Sequence, residues 1–296
     1  MDRTPLCADA PTSPDWIDAR VDTAAGAVPV RLYGAAPAPR QALVVHLHGG
    51  NFIAGSIDCG ATVARLLARA GAVVVSAAYP PACRHPFLAA LEAGRAVLEW
   101  ASARRSALAG KGARLFVAGE EGGANLAAAL AMQSRDLRHP PLAGQILISP
   151  MLDPRLGTAS MRQRRAGQGG CQWAEGWHAY LDCGMAADHP YALPARALRL
   201  AGLPPALILT AEDDPLRDEA GTFARRLAEA GTPARCEVLP GITGWPCQLR
   251  EPAAPAPWTD PVVRQLAGFL QPDNNTAALP GAAALQSASN PTGDTP

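Results

Sequence analysis

What this chain lacks narrows its possible roles before any motif is considered. No apolar window is long enough to span a bilayer, and Met1-Asp2-Arg3-Thr4-Pro5-Leu6-Cys7 holds no apolar core of a secretion signal. Neither a membrane nor export is therefore expected, and a cytoplasmic location is the default. No basic run stands out, and Lys+Arg and Asp+Glu both number 26, so nucleic acid is not an expected partner. None of the seven cysteines (Cys7, Cys59, Cys83, Cys171, Cys183, Cys236, Cys247) forms a C-x-x-C pair, which points to reduced thiols rather than a disulfide framework. His46 and His48 share a strand face, but no third ligand is indicated, so no metal and no cofactor are expected. No internal repeat is visible.

What is present is a globular composition. The 296 residues are 48% hydrophobic and 18% charged, enough to bury the core of a single α/β domain. Aliphatic runs at 28–33, 42–48, 72–78, 114–118, 145–149, 206–210 and 234–239 have the character of strands. Amphipathic stretches at 61–70, 87–103, 124–135, 218–230 and 260–270 alternate with them as helices. That alternation predicts a mostly parallel central sheet flanked by helices, with continuously apolar strands at its centre. Residues 154–190 carry Trp173, Trp177 and Tyr180 without a clean strand and are read as a small cap insertion over the sheet's carboxyl edge. Those aromatics either line an apolar pocket or form the cap's own core. Residues 1–20 are read as an N-terminal extension and 21–272 as the domain. The Ala-, Asn-, Pro-, Ser- and Gly-rich stretch 273–296 is read as a disordered tail.

Gly119-Glu120-Glu121-Gly122-Gly123 follows the apolar strand Leu115-Phe116-Val117-Ala118 and leads into a helical Ala124-Asn125-Leu126-Ala127. A strand, a sharp turn and a helix with glycines two residues either side of the centre make the frame of a nucleophile elbow, G-x-S-x-G. The glycines stand at 119 and 123, but the central residue is Glu121 rather than serine.

With the phrases His48-Gly49-Gly50-Asn51-Phe52, Tyr79, His85-Pro86-Phe87, Pro150-Met151-Leu152-Asp153 and Asp213-Asp214-Pro215-Leu216, the chain resembles the hormone-sensitive-lipase-like branch of the α/β-hydrolase esterases. The resemblance runs from about Val28 to Leu270. It implies an α/β-hydrolase fold. It also implies an oxyanion hole built from the backbone N–H groups of Gly49, Gly50 and Gly122, and a triad acid at Asp214. It further implies a histidine in a phrase that here reads Pro240-Gly241-Ile242-Thr243-Gly244-Trp245, so Thr243 holds the place of the base. The six histidines, His46, His48, His85, His139, His178 and His189, all precede Asp214. Ala78 before Tyr79 and Arg84 also depart from the family pattern, and the chain before His48 is short for it.

A serine nucleophile needs a positioned base, and loss of triad members leaves only residual catalysis. The expectation is therefore a non-catalytic protein derived from a carboxylesterase, with Glu121, Asp214 and Thr243 as inert triad positions. Its pocket would bind a small apolar ligand, or its surface a protein partner or second copy in a homodimer. The alternative is an active hydrolase of carboxylic esters whose non-standard site centres on Glu121, as nucleophile or base. Either way, the helix start and the N–H groups of Gly49 and Gly50 should draw the Glu121 carboxylate toward the oxyanion loop.

Overall fold

The computed structural model describes residues 15–23, 26–35, 40–84, 87–165, 170–181, 189–250 and 256–271. The stretch read as a disordered tail lies outside them, as do the cysteines at 7 and 183.

Strands β1 (Trp16–Thr23), β2 (Gly26–Tyr33), β3 (Ala42–Leu47), β4 (Ala72–Ala77), β5 (Arg114–Glu121), β6 (Gly144–Pro150), β7 (Ala206–Ala211) and β8 (Ala234–Leu239) form one sheet in the order β1-β2-β4-β3-β5-β6-β7-β8. Pairing is antiparallel for β1–β2 and β2–β4 and parallel from β4 to β8. Every residue of β3, β4, β6 and β7 is buried, as expected for strands covered on both faces.

Helices α1 (Ala61–Arg69), α8 (Cys247–Arg250) and α9 (Thr259–Leu270) cover one face through Leu67, Leu249 and Leu266. Helices α2 (Leu88–Ala103), α3 (Arg105–Ala109), α4 (Gly122–Leu137) and α7 (Arg217–Glu229) cover the other through Leu91, Leu126 and Phe223. Helices α5 (Ala159–Arg165) and α6 (Gly170–Leu181) lie in the stretch read as a cap.

The cap aromatics do not pack only among themselves. Tyr180 of α6 stacks on Phe52 with centroids 3.9 Å apart and meets Phe87 edge-on, while Trp177 leans on Phe52 at 5.0 Å. Aromatic clustering of this kind fixes the helix over the loop that follows β3.

Strand β1 was not anticipated, since its residues 16–20 were placed in an extension. Its pattern WIDARVDT buries only Val21, because an edge strand with one solvent face needs no apolar run.

Candidate active site

The turn at the end of β5 has the predicted sharpness, and it needs its glycines. A Cβ on Gly119 would lie 2.3 Å from the Gly123 carbonyl oxygen, and one on Gly123 would lie 2.1 Å from that of Leu47. The central Glu121 sits at φ 50°, ψ −121°, immediately before the first turn of α4. A side chain held at that backbone costs on the order of 1–3 kcal/mol, and the packing around it must supply that.

Glu121 is 1% exposed, and its carboxylate does not cap the helix it precedes. Its Oε2 accepts from the Gly50 N–H at 2.7 Å and from Arg250 Nη2 at 2.5 Å, while Oε1 is buried with no partner among the described residues. The carboxylate thus turns toward the oxyanion loop as expected, but it meets only Gly50. The Gly49 N–H is taken by Glu120 Oε1 at 2.8 Å. Glu120 Oε2 in turn lies 2.6 Å from His46 Nε2, and His46 Nδ1 lies 2.9 Å from the Ser76 hydroxyl. This Ser76–His46–Glu120 chain is buried from end to end, so it serves as a strut under the loop.

His48 faces the other way. Its Nδ1 lies 2.8 Å from the Gly49 carbonyl, and the ring stacks on Tyr79 at 4.3 Å, whose hydroxyl donates to the His48 carbonyl. Burial holds the His48 pKa below its ordinary value, so the imidazole is neutral and keeps one ring nitrogen as an acceptor.

The acid and the position of the missing base do not meet as the resemblance implied. Thr243 donates its N–H and hydroxyl to Asp213, at 3.0 and 2.8 Å, and Gly244 N–H adds a third bond at 2.7 Å. Burial opposes the Asp213 charge, but these donors outweigh it and lower the pKa. Asp214 accepts instead from Thr210 Oγ1 at 2.7 Å and from the Leu216 N–H at 2.9 Å, beside the start of α7. Desolvation, with a smaller contribution from the Glu121 charge, pushes Asp214 up to about 6.

The raised Asp214 pKa has a measurable consequence. The folded chain holds a proton that the unfolded chain releases between 3.8 and about 6, so this group favours folding at low pH and the benefit is lost as pH rises through about 6. Relative to the wild type, Asp214→Asn should gain about 2–3 kcal/mol of stability between about pH 4 and pH 7. Urea unfolding of both proteins at a series of pH values measures this. A stability difference that does not change with pH would contradict the assignment.

Sequence reasoning missed Arg250. The loop that holds Thr243 runs into α8, whose last residue is this arginine, and α8 packs by Leu249 beside α1 and α9. Arg250 is the one basic residue between the end of β8 and position 250, so two adjacent buried carboxylates at 120 and 121 were a signal to look for it.

Comparison with known proteins agrees with this architecture. Residues 44–243 match the profile of the alpha/beta hydrolase fold. The chain belongs to that family. It is 36% identical over 212 residues to the carboxylesterase NlhH of Mycobacterium tuberculosis, a match covering 69% of this chain and 66% of that protein. It is 32% identical over 229 residues to the esterase LipI of the same organism, covering 73% and 70%. Among solved structures, the esterase LipW of Mycobacterium marinum superposes with TM-score 0.74 at 36% identity, covering 87% and 82%. The thermophilic carboxylesterase EstE1, from a metagenomic library, gives 0.77 at 28% identity, covering 92% of each chain.

These findings overturn the expectation of a non-catalytic protein. Named esterases stand at 32–36% identity, and the family match runs through the loop at 48–52, the elbow and Asp214. The turn has not relaxed either: Glu121 keeps the strained, positive-φ geometry of the elbow. Among the described residues no three His, Cys, Asp or Glu side chains converge as metal ligands, and no helix is long and apolar enough to cross a membrane.

Proposed function

We propose that the protein hydrolyses short-chain carboxylic esters at a site centred on Glu121, with its carboxylate as general base toward water. The observation that carries this is the division of labour within the carboxylate. Oε2 is fixed by Gly50 and Arg250, while Oε1 is buried and unpartnered on the strained elbow. An oriented carboxylate with one free oxygen is what proton abstraction from a bound water requires.

The step balances without a histidine. Water oxygen bonds to the ester carbonyl carbon as Glu121 takes its proton, and the carbonyl π pair moves onto oxygen. The tetrahedral centre then collapses, the C–O bond to the alkoxy group breaks, and the leaving alcohol takes the proton from Glu121. One ester and one water give one acid and one alcohol. No acyl-enzyme forms, so no second base is needed to release one, which removes the objection raised by Thr243 at the histidine position. The first amides of α4, that of Gly122 included, are available in this reading to the developing negative oxygen.

Short acyl chains fit best. A Cβ on Gly122 would lie 2.9 Å from the Phe52 ring, which stacks on Tyr180, so the space beside the elbow is already filled by aromatic carbon. The test is a panel of activated esters from two to eight carbons, given to the purified wild type and to Glu121→Ala. Turnover by the wild type that falls with chain length and is lost in the variant is the expected result. Equal rates for the two proteins would end the proposal.

A further inference from the structure

Both loop amides that an ester oxyanion would be expected to use are already occupied. Glu120 Oε1 holds the Gly49 N–H and Glu121 Oε2 holds the Gly50 N–H. A tetrahedral oxyanion formed here must therefore find its countercharge elsewhere.

The geometry points to Arg250 as the catalytic cation of this site, holding the reacting carboxylate with one guanidinium nitrogen and the substrate oxyanion with another. The assignment rests on the ester-hydrolase reading above and adds a residue that the serine-based arrangement does not contain. Arg250 touches the reacting group directly, since its Nη2 lies 2.5 Å from Glu121 Oε2. The pair leaves one atom spare on each side, because Arg250 Nε and Glu121 Oε1 are both buried without a partner. A guanidinium offers five N–H donors in one plane, so binding Glu121 does not exhaust it. A spare donor on the guanidinium and a spare acceptor on the carboxylate suit a tetrahedral intermediate, whose oxyanion accepts and whose incoming water donates.

Charge and access agree with this role. Burial disfavours the Arg250 charge, but Glu121 outweighs it and raises the pKa, so the group stays cationic. Its field also reaches the stacked pair of His48 and Tyr79. The side chain is 24% exposed against 1% for Glu121, so solvent reaches part of the guanidinium group while the base stays buried. The carboxylate facing it is Glu121, whose charge also bears on Asp214, so the site without Arg250 would repel a developing negative oxygen.

The experiment compares wild type, Arg250→Met and Arg250→Lys in steady-state hydrolysis of a two-carbon activated ester. Thermal melts of each protein are recorded with and without methylphosphonate as a tetrahedral anion. Arg250→Met is expected to lose about 10²–10³ in kcat with KM within about threefold, and low-millimolar guanidinium should restore part of the rate. Arg250→Lys keeps the charge without the fork and should fall between the two. Methylphosphonate should raise the melting temperature of the wild type and of Arg250→Lys, but not of Arg250→Met. An active wild type whose Arg250→Met variant matches it in kcat would overturn the role of Arg250 and leave the Glu121 reading standing. A wild type that turns over no ester would bring down both. Should Arg250→Met fail to fold, Arg250→Lys decides: wild-type kcat without stabilisation by the anion would overturn the assignment.

Discussion

Glu121→Gln is expected to fold and to lose about 10²–10⁴ of kcat for any ester the wild type turns over. The amide is close to the carboxylate in shape, and its carbonyl oxygen can still accept from the Gly50 N–H now held at 2.7 Å. What it cannot do is take a proton from water. Losing the charge also unpairs Arg250. Removal of one partner from a wholly buried pair costs about 3–5 kcal/mol, but Arg250 is 24% exposed and water can reach it, so about 1–2 kcal/mol is expected here. Kinetics and urea unfolding on the same preparation separate the two effects. A variant that unfolds near the wild-type midpoint yet keeps wild-type kcat would remove Glu121 from the chemistry.

Gly123→Ala should be strongly destabilising, while Gly221→Ala should be mildly stabilising. At Gly123 the new Cβ would lie 2.1 Å from the Leu47 carbonyl oxygen and 2.3 Å from that of His48. Both are backbone atoms of the strand and loop that carry the oxyanion phrase, and neither can swing aside as a flexible side chain would. Overpacking of this kind costs about 3 kcal/mol and would displace the loop from Glu121, so activity should fall with stability. At Gly221, inside α7, a Cβ meets nothing within 4 Å, and replacing a helical glycine by alanine gains about 0.5–1 kcal/mol. Melting temperatures that move together for the two variants would mean the close approach at Gly123 is relieved by a backbone shift.

The contrast between those glycines shows what the sequence carries. The elbow was legible because its demand is local: a turn that sharp admits no Cβ at 119 or 123, whatever stands at 121. The central strands were legible because burial on both faces leaves them continuously apolar. Strand β1 was not, since an edge strand with one buried residue resembles a polar segment. The division of Asp213 and Asp214 was not legible either. Neighbouring carboxylates are equivalent in a string of letters, and only the fold turns Asp213 to the Thr243 loop and Asp214 to Thr210 and Leu216. Arg250 was hidden for the same reason on a larger scale: it meets Glu121 across 129 positions of chain, brought there by α8 packing on α1 and α9. The missing histidine led from the sequence to an inference of lost catalysis, which the likeness to named esterases overturns.

The most direct test of Glu121 as base follows oxygen. The wild type would be carried through many turnovers of a short-chain ester in H₂¹⁸O. The product acid and the peptide containing Glu121 would then both be weighed by mass spectrometry. General-base hydrolysis predicts one heavy oxygen in each product acid and an unchanged mass for the peptide. Heavy oxygen appearing in the Glu121 carboxylate would mean that it had bonded to the acyl group, and would contradict the account.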